Sequence, residues 1–353
     1  MVATDPPVRI TLDCMGSDHG PGEVVAGAAH LSRVREDIHT ILVGDAEQLA
    51  PLLDATSYDP RRLSLRHTPQ WVTQQQRSRA ALDELPEASI LVACRMVAEG
   101  QADAVVTAGP TGAAILAAER SLGRVPGVRR AALAAVTPTE LRHGPRQDPF
   151  ALLLDVGSTL QVRAEDLVTF AVMGSAYARA ISDNPRPRVA LLSNGSEAHK
   201  GPPEVVEAHA LLAEMKDIEF IGNVEGLDIP RGTADVVVTD GFVGNVVLKM
   251  IEGLGEVITD LAADAHARKF LWRLGLNMLS SGMKEIQSLL DWESYGGAPI
   301  LGFTHPVIKA HSRSQRRAVA NACKVAAKAA RSDMAATIER AIRRIPNAGA
   351  GKS

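Results

Sequence analysis

The sequence predicts an α/β protein built from parallel-sheet units, and three observations carry that prediction. Short apolar runs of strand type alternate with helix-patterned segments at the spacing of α/β units. The strand ends open repeatedly into polar, glycine-bearing turns. The clearest unit is 234–253, ADVVVTDGFVGNVVLKMIEG, where a buried-type strand over 236–239 runs through Asp240-Gly241 into a Gly-Phe-Val-Gly-Asn turn. An apolar helical stretch led by Val246, Val247 and Leu248 follows. Ligands of such sheets sit at the carboxyl ends of strands, where glycines let backbone approach an anion and a helix start offers N–H groups. Asp240 and Asn245 then stand at the mouth of a site; the plainer alternative is a tight turn with an Asn near the N-cap.

The 353 residues are 46% hydrophobic and 22% charged, a globular balance with length for a substantial core and two lobes. A net charge of -3 and an aromatic content of 3% argue against nucleic acid as a partner. Cys14, Cys94 and Cys323 are odd in number and far apart, which fits a reducing compartment. Asp5, Pro6 and Pro7 interrupt the place where a signal's apolar region would stand, and no apolar run is long enough to span a bilayer. The cytoplasm is the expected location.

Taken in order, a strand over 8–12 leads into the acidic, glycine-rich segment from Asp13 to Pro21, followed by a helix over 23–31. A strand over 39–43, a short helix over 48–53 and a strand over 63–67 come next. Helical composition covers 74–85 and 89–99, with Pro86 breaking between them. A strand over 104–107 enters Ala-Gly-Pro-Thr-Gly, with an alanine-rich helix over 113–122 behind it. Apolar runs over 131–136 and 151–156 flank a polar segment, 137–149, that reads as a loop. A helix over 167–181, a strand over 189–192, a helix over 204–215 and a strand over 219–224 keep the rhythm. Beyond the 234–253 unit, 269–283 is strongly apolar with basic residues at its start. It reads as an amphipathic element touching a membrane or partner, or as an ordinary core or dimer-interface helix. An apolar run over 300–303, a strand over 307–310 and helical composition over 317–344, interrupted near Ser332-Asp333, complete the chain before a glycine-rich tail.

The chain contains no HExxH or CxxC metal pattern, no GxSxG nucleophile elbow, no GxGxxG and no P-loop. No metal and no cofactor is expected. Six polar turns remain, 13–20, 109–112, 155–159, 193–201, 223–226 and 240–245, which at one edge of one sheet would hold a small anion against backbone N–H groups.

These segments also resemble the bacterial phosphate acyltransferase (PlsX) family, the acyl-carrier-protein:phosphate acyltransferases of phospholipid synthesis. The likeness covers almost the whole chain and is carried by LDCMGSDHGP (12–21), ADAVVTAGPTGA (102–113), LLLDVGST (152–159), FIGNVEGLDIPRGTADVVVTDGFVGNVVLK (220–249) and VIKAHSRS (307–314). The resemblance implies a three-layer α/β/α Rossmann-like fold related to phosphotransacetylases and isocitrate dehydrogenase-like enzymes. It implies one domain over 1–345 with the site between lobes, a helical hairpin or amphipathic segment over 254–292 and a flexible tail over 346–353. It further implies a homodimer that transfers a long-chain acyl group from acyl carrier protein to inorganic phosphate, with peripheral membrane contact through 269–283.

Phosphate is already a nucleophile, so such an enzyme needs no activated serine or cysteine, only a site that binds phosphate and stabilises an oxyanion. On this reading the catalytic candidates are His19 as proton acceptor, Lys200 as charge partner, Asn245 and Asp240. Gly16, Thr111, Gly112, Gly241, Gly244 and Lys249 bind phosphate, and Asp13, Asp18, Asp155, Asn223 and Glu225 are further site candidates. Acyl carrier protein is acidic, so Arg124, Arg129, Arg130, Lys269 and Arg273 form either a docking patch or a solvated face. The chain departs from the family pattern at Ser17, Pro110, Ser158, Thr159, Ser193 and Ser196, all in polar turns. Pro110 stands where the family carries Asn, removing an amide side chain and an N–H. The alternatives are a phosphotransacetylase-like enzyme using acyl-CoA, or a catalytically weakened homologue that binds or scaffolds in lipid synthesis.

Overall fold

The computed structural model describes residues 6–145, 147–268 and 296–344. Its first part runs β1 (Val8–Asp13), α1 (Pro21–Val34), β2 (Ile38–Gly44), α2 (Ala46–Asp54), β3 (Leu63–His67), α3 (Ser78–Glu84), α4 (Ser89–Ala98), β4 (Ala104–Thr107) and α5 (Thr111–Ser121). Next come β5 (Ala132–His143), β6 (Asp148–Leu154), α6 (Ala164–Ile181), β7 (Arg188–Leu192), α7 (Pro203–Ala213), β8 (Glu219–Val224), α8 (Asp228–Arg231), β9 (Val236–Val238) and α9 (Gly241–Arg268). The last part holds β10 (Ala298–Leu301), β11 (Val307–Lys309), α10 (Arg316–Arg331) and α11 (Met334–Ile342). Local chemistry sets several starts. Pro21 opens α1 where its missing N–H costs nothing, with Glu23 in the first turn. Asp45 caps α2 by accepting the Glu47 N–H.

The strands form one eleven-stranded sheet in the order β3-β2-β1-β4-β11-β10-β5-β6-β9-β7-β8. The block from β3 to β11 is parallel, and so is the block from β6 to β8. Between them the pairs β11–β10, β10–β5 and β5–β6 are antiparallel. Three reversals make the two parallel blocks point in opposite directions. Helices α3, α4 and α5 and the inner side of α9 cover one face of the sheet. The other face carries α1, α2 and α10 over the first block and α6, α7 and α11 over the second. Strands covered on both faces are apolar throughout, as in the fully buried Val236–Val238. The three-layer α/β/α expectation therefore holds.

The expected loop over 137–149 is instead mostly strand. β5 continues to His143, and β6 starts at Asp148, with Thr137 opposite Ala151 and Pro138 opposite Phe150. Thr137 is buried and its hydroxyl donates to the Ala151 carbonyl at 3.2 Å. Cross-strand pairing satisfies backbone groups whose polar side chains gave no apolar alternation to read. Helix α9 begins at Gly241, five residues before the expected lead residue Val246. The segment 269–283, most of 254–292 beyond α9, and the tail 346–353 lie outside the described residues.

Strand register decides where a site can form. Asp13 pairs with Thr107, Thr107 with Lys309, and Lys309 with Ala298. Continuing the β10–β5 register two residues from Ile300–Leu133 reaches Ala135, next to the Ala134–Leu154 pair that ends β6. Leu154 in turn pairs with Val238, the last residue of β9. The carboxyl ends of the two opposed blocks thus meet across β10 and β5. The six turns do not share one sheet edge: 13–20 and 109–112 belong to one block and the other four to the second, of which 155–159 and 240–245 reach the junction through Val156 and Asn245.

Candidate active site

Where the blocks meet, a cleft of about 260 Å³ opens on the α5–α9 face. Thr111 enters it from the head of α5, and Asn245, Leu248, Lys249 and Glu252 from α9. Lys309, His311 and Ser312 enter from the end of β11, Gln74 from the loop before α3, and Leu133, Ala135, Val136 and Val156 supply an apolar wall.

The polar end of the cleft is built on Asp13. Its buried carboxylate accepts hydrogen bonds from Ser89 Oγ at 2.6 Å, Thr107 Oγ1 at 2.7 Å and the Met15 N–H at 3.2 Å. Burial pushes the Asp13 carboxyl above its usual range, against the pull of those hydrogen bonds and of Lys309. Thr107 Oγ1 also accepts the Gly109 N–H at 2.9 Å, tying the turn after β4 to this acid. Lys309 is only 8% exposed, and its Nζ donates to the Ala310 carbonyl. Burial lowers its ammonium to about 8, while Asp13 and Asp18 pull the other way. His311 is half-buried, and burial followed by the Lys309 charge holds its imidazole below the usual value. Its Nδ1 accepts the Arg313 N–H at 3.2 Å, which puts the proton of the neutral ring on Nε2.

The first loop closes one rim. Ser312 Oγ donates to Asp18 Oδ2 at 2.6 Å, and the Asp18 N–H returns a bond to the Ser312 carbonyl at 2.9 Å. Gln74 Nε2 donates to the Gly16 carbonyl at 2.9 Å. Gly16 has φ of +79°, and a Cβ there would lie 2.6 Å from the Val72 carbonyl oxygen, so the turn requires glycine.

The two helix starts differ in a way that decides where an anion fits. At α9, Asp240 Oδ1 accepts the Phe242 and Val243 N–H groups at 2.9 and 3.0 Å, and the Gly241 N–H donates to the Thr159 carbonyl at 2.9 Å. Asp240 is therefore an N-cap. Gly241 and Gly244 serve packing: a Cβ on Gly241 would meet Asp155 Oδ2 at 2.7 Å, and one on Gly244 the Asp155 carbonyl oxygen at 1.9 Å. Asp155 itself accepts from Leu133, Gly157, Ser158 and Thr159 N–H groups at 2.9, 3.2, 3.0 and 2.5 Å. Burial still raises it to about 6. At α5, by contrast, Pro110 is the N-cap residue and no side chain caps the helix. Proline there loses an N–H that no helix uses, so the first N–H groups of α5, beginning with Thr111, keep their donor capacity.

The remaining candidates lie elsewhere. Gly112 packs against α3, where a Cβ would meet Ser78 Oγ at 2.8 Å. Asn223 Nδ2 donates to the Glu197 carbonyl at 2.9 Å, and its Oδ1 meets His209 Nδ1 at 2.9 Å. That braces the turn carrying Lys200, while the Glu225 N–H donates to Asp228 at 3.0 Å; neither Lys200, Asn223 nor Glu225 lines the cleft. His19 is exposed and also does not line it. Lys249 does, paired with Glu252 at 2.6 Å. Arg124 is held by Glu119 and the Arg129 carbonyl, Arg129 by the buried Asp166, and Arg130 is exposed. Lys269 and Arg273 lie outside the described residues. The sequence reading missed Lys309, His311, Ser312 and Gln74; the available signal was a lysine ending an otherwise apolar strand, two residues before a histidine. The departures Ser158 and Thr159 are accommodated, both hydroxyls donating to the Ala131 carbonyl.

Among the described residues no group of three or more His, Cys, Asp or Glu could hold a metal ion, and no helix is long and apolar enough to cross a membrane. Two opposed parallel blocks with a cationic cleft at their junction define a phosphotransacetylase-type α/β/α fold. The solved EutD phosphotransacetylase from Staphylococcus aureus shares it with a TM-score of 0.61, at 18% identity, over 92% of this chain and 94% of that one. The chain belongs to the phosphate acyltransferase family. A family model described as "Fatty acid synthesis protein" matches residues 8–337. The proteins named phosphate acyltransferase from Thermoanaerobacter pseudethanolicus and Heliobacterium modesticaldum are 38% and 40% identical over 319 and 335 residues. These matches cover 90% and 94% of this chain and 92% and 97% of the relatives.

Proposed function

We propose that this phosphate acyltransferase moves a fatty acyl group from acyl carrier protein to inorganic phosphate, and that the chemistry takes place in the cleft at the block junction. The observation that carries this reading is the buried Lys309 lining the same cleft as the uncapped start of α5. Phosphate is bound by the Lys309 ammonium, the Thr111 hydroxyl and the first N–H groups of α5, which favour a dianion. A phosphate oxygen attacks the thioester carbonyl, forming the C–O bond of the acyl phosphate as the C–S bond breaks. The Asn245 amide is a donor for the developing oxyanion. His311, kept neutral by burial and by Lys309 with its proton on Nε2, donates that N–H to a phosphate oxygen; the thiolate leaves without a general acid and takes up from solvent the proton that the acyl phosphate releases. His19 and Lys200, outside the cleft, are not needed for these roles.

The reading includes a homodimer and a peripheral contact with the inner face of the membrane, because an acyl phosphate is itself lipid-like. The side chains of Phe242, Met250, Leu254 and Leu261 on α9 are more than half exposed and support such a contact. The test is acyl phosphate formation by purified protein, trapped as hydroxamate, with palmitoyl carrier protein and palmitoyl-CoA compared at equal concentration. Phosphate-dependent product favouring the carrier protein supports the proposal. Preference for acyl-CoA moves the assignment to a phosphotransacetylase-like enzyme, and no product from either donor overturns transfer altogether.

A further inference from the structure

Two more cavities lie across the sheet from the cleft, and shared residues join all three. One, of about 210 Å³, is lined by Val136, Phe150, Leu152, Tyr177, Ile181 and Val325 among others. The other, of about 270 Å³, is lined by Tyr177, Leu301, Met334, Ala335 and Ile338 among others. Val136 lines both the cleft and the first cavity, and Tyr177 lines both cavities.

The sheet leaves a crossing point at Val136. Among the described residues β10 pairs with β5 only through Ile300–Leu133 and Leu301–Ala132, and none of them extends that ladder to Val136. The chain before β10 carries Gly296 and Gly297, with φ of +78° and +85°. Gly297 lines the cleft with Val136. On the other side, a Cβ on Gly296 would lie 2.6 Å from Val325, which lines the first cavity. Two residues without side chains therefore span from cleft to cavity.

We propose that the acyl chain of the substrate passes from the cleft between Val136 and Gly296-Gly297 into the cavity between α6 and α10, and that Tyr177 limits the chain length accepted. The proposal rests on the acyl-transfer reading and adds the path of the tail to it. The thioester stays at the polar end near Lys309 while the methylenes leave on the apolar side. The polar lining of the first cavity is Asp148, Ser182, Asn184 and Asp235, of which Asp235 accepts the Arg188 N–H at 2.6 Å and Asn184 the Arg186 N–H at 3.3 Å; the apolar course runs along Val136, Phe150 and Leu152 to Tyr177. Tyr177 is 3% exposed and stands between the two cavities. Their combined size falls in the range of small-molecule sites, about 300–1,000 Å³. Each methylene buried along this path strengthens binding about fourfold, until the chain meets the Tyr177 ring.

The test measures kcat/KM for carrier protein bearing butyryl, octanoyl, dodecanoyl, palmitoyl and stearoyl chains, with wild-type, Tyr177→Ala and Val136→Phe proteins. Tyr177→Ala joins the cavities and is expected to raise the stearoyl-to-dodecanoyl ratio on the order of tenfold. Val136→Phe narrows the crossing and is expected to lower the palmitoyl-to-butyryl ratio of kcat/KM on the order of tenfold. Unchanged length profiles in both folded variants overturn the path. Wild-type protein is also photolabelled with carrier protein bearing a palmitoyl chain that ends in a diazirine, which needs neither turnover nor a variant. Label on the peptides holding Tyr177 or Met334 to Ile338 supports the path; label confined to α9 overturns it. Label at Tyr177 without acyl phosphate formation would overturn the transfer reading alone, whereas turnover with label confined to α9 would overturn the path alone.

Discussion

In a Lys309→Met variant the last residue of β11 keeps most of its length and loses its charge, which sets stability and function moving in opposite directions. The folded protein holds this ammonium at about 8, against 10.5 for an ordinary lysine. At about 1.4 kcal/mol per pH unit, that gap corresponds to roughly 3 kcal/mol of native-state cost at neutral pH. The sign follows from proton binding: between the two values the unfolded chain holds the proton more tightly. The cost is therefore fully present below pH 8, shrinks as pH rises towards 10.5 and is absent above it. Methionine removes the cost but takes from Asp13 the cation facing it, so the net gain at pH 7 is expected to be about 1–3 kcal/mol. The same change deletes a charge-assisted hydrogen bond to phosphate worth about 1.5–3 kcal/mol, raising the phosphate KM roughly 10- to 150-fold. Urea unfolding between pH 7 and pH 10 and phosphate-dependent hydroxamate formation read the two effects. A phosphate KM within twofold of wild type, or a variant less stable than wild type at pH 7, would refute the assignment of Lys309.

Four further outcomes are expected. Asn245→Ala should lower kcat/KM by about 3- to 10-fold with an unchanged melting temperature, because a single neutral donor at an exposed cleft position is lost. Arg129→Ala should cost about 1–3 kcal/mol of stability by leaving the buried Asp166 without its guanidinium, measured by denaturant midpoint. Arg130→Ala, at an exposed position, should leave that midpoint alone and raise the carrier-protein KM at low salt; an unchanged KM would make that arginine a solvated charge. Gly244→Ala should destabilise by at least about 1–3 kcal/mol, since its Cβ would sit 1.9 Å from the Asp155 carbonyl oxygen; a wild-type melting curve would show that the turn yields.

The alternation of strands and helices was legible because each element carries its own period and its own stop signal. The strand Glu219–Val224 and the break near Ser332 and Asp333 fall where apolar pattern and breaker residues put them. The hairpin over 137–149 was not legible, since its polar residues form a ladder only in the presence of the partner strand. The site divides the same way. Thr111 and Asn245 lie near helix starts that the residue pattern marks, Lys249 in the helical stretch behind Asn245, and all three line the cleft. Lys309 and His311 join them only because β11 inserts between β4 and β10, an order that no local pattern encodes. Glycines mislead for a related reason. Gly112, Gly241 and Gly244 look like places where backbone approaches an anion, yet what approaches them is Ser78, Asp155 and Thr159. Close approach is readable in sequence; its object is not.

The central claim is that phosphate sits at the block junction, between Lys309 and the head of α5. It is tested most directly by a crystal structure of the protein with bound phosphate or a non-hydrolysable acyl phosphonate. The account predicts the phosphorus group within hydrogen-bond distance of Lys309 Nζ and the Thr111 N–H, with the acyl carbon turned towards Asn245. A phosphate held instead by the turn carrying Lys200 and Asn223, with the junction cleft empty, would contradict it.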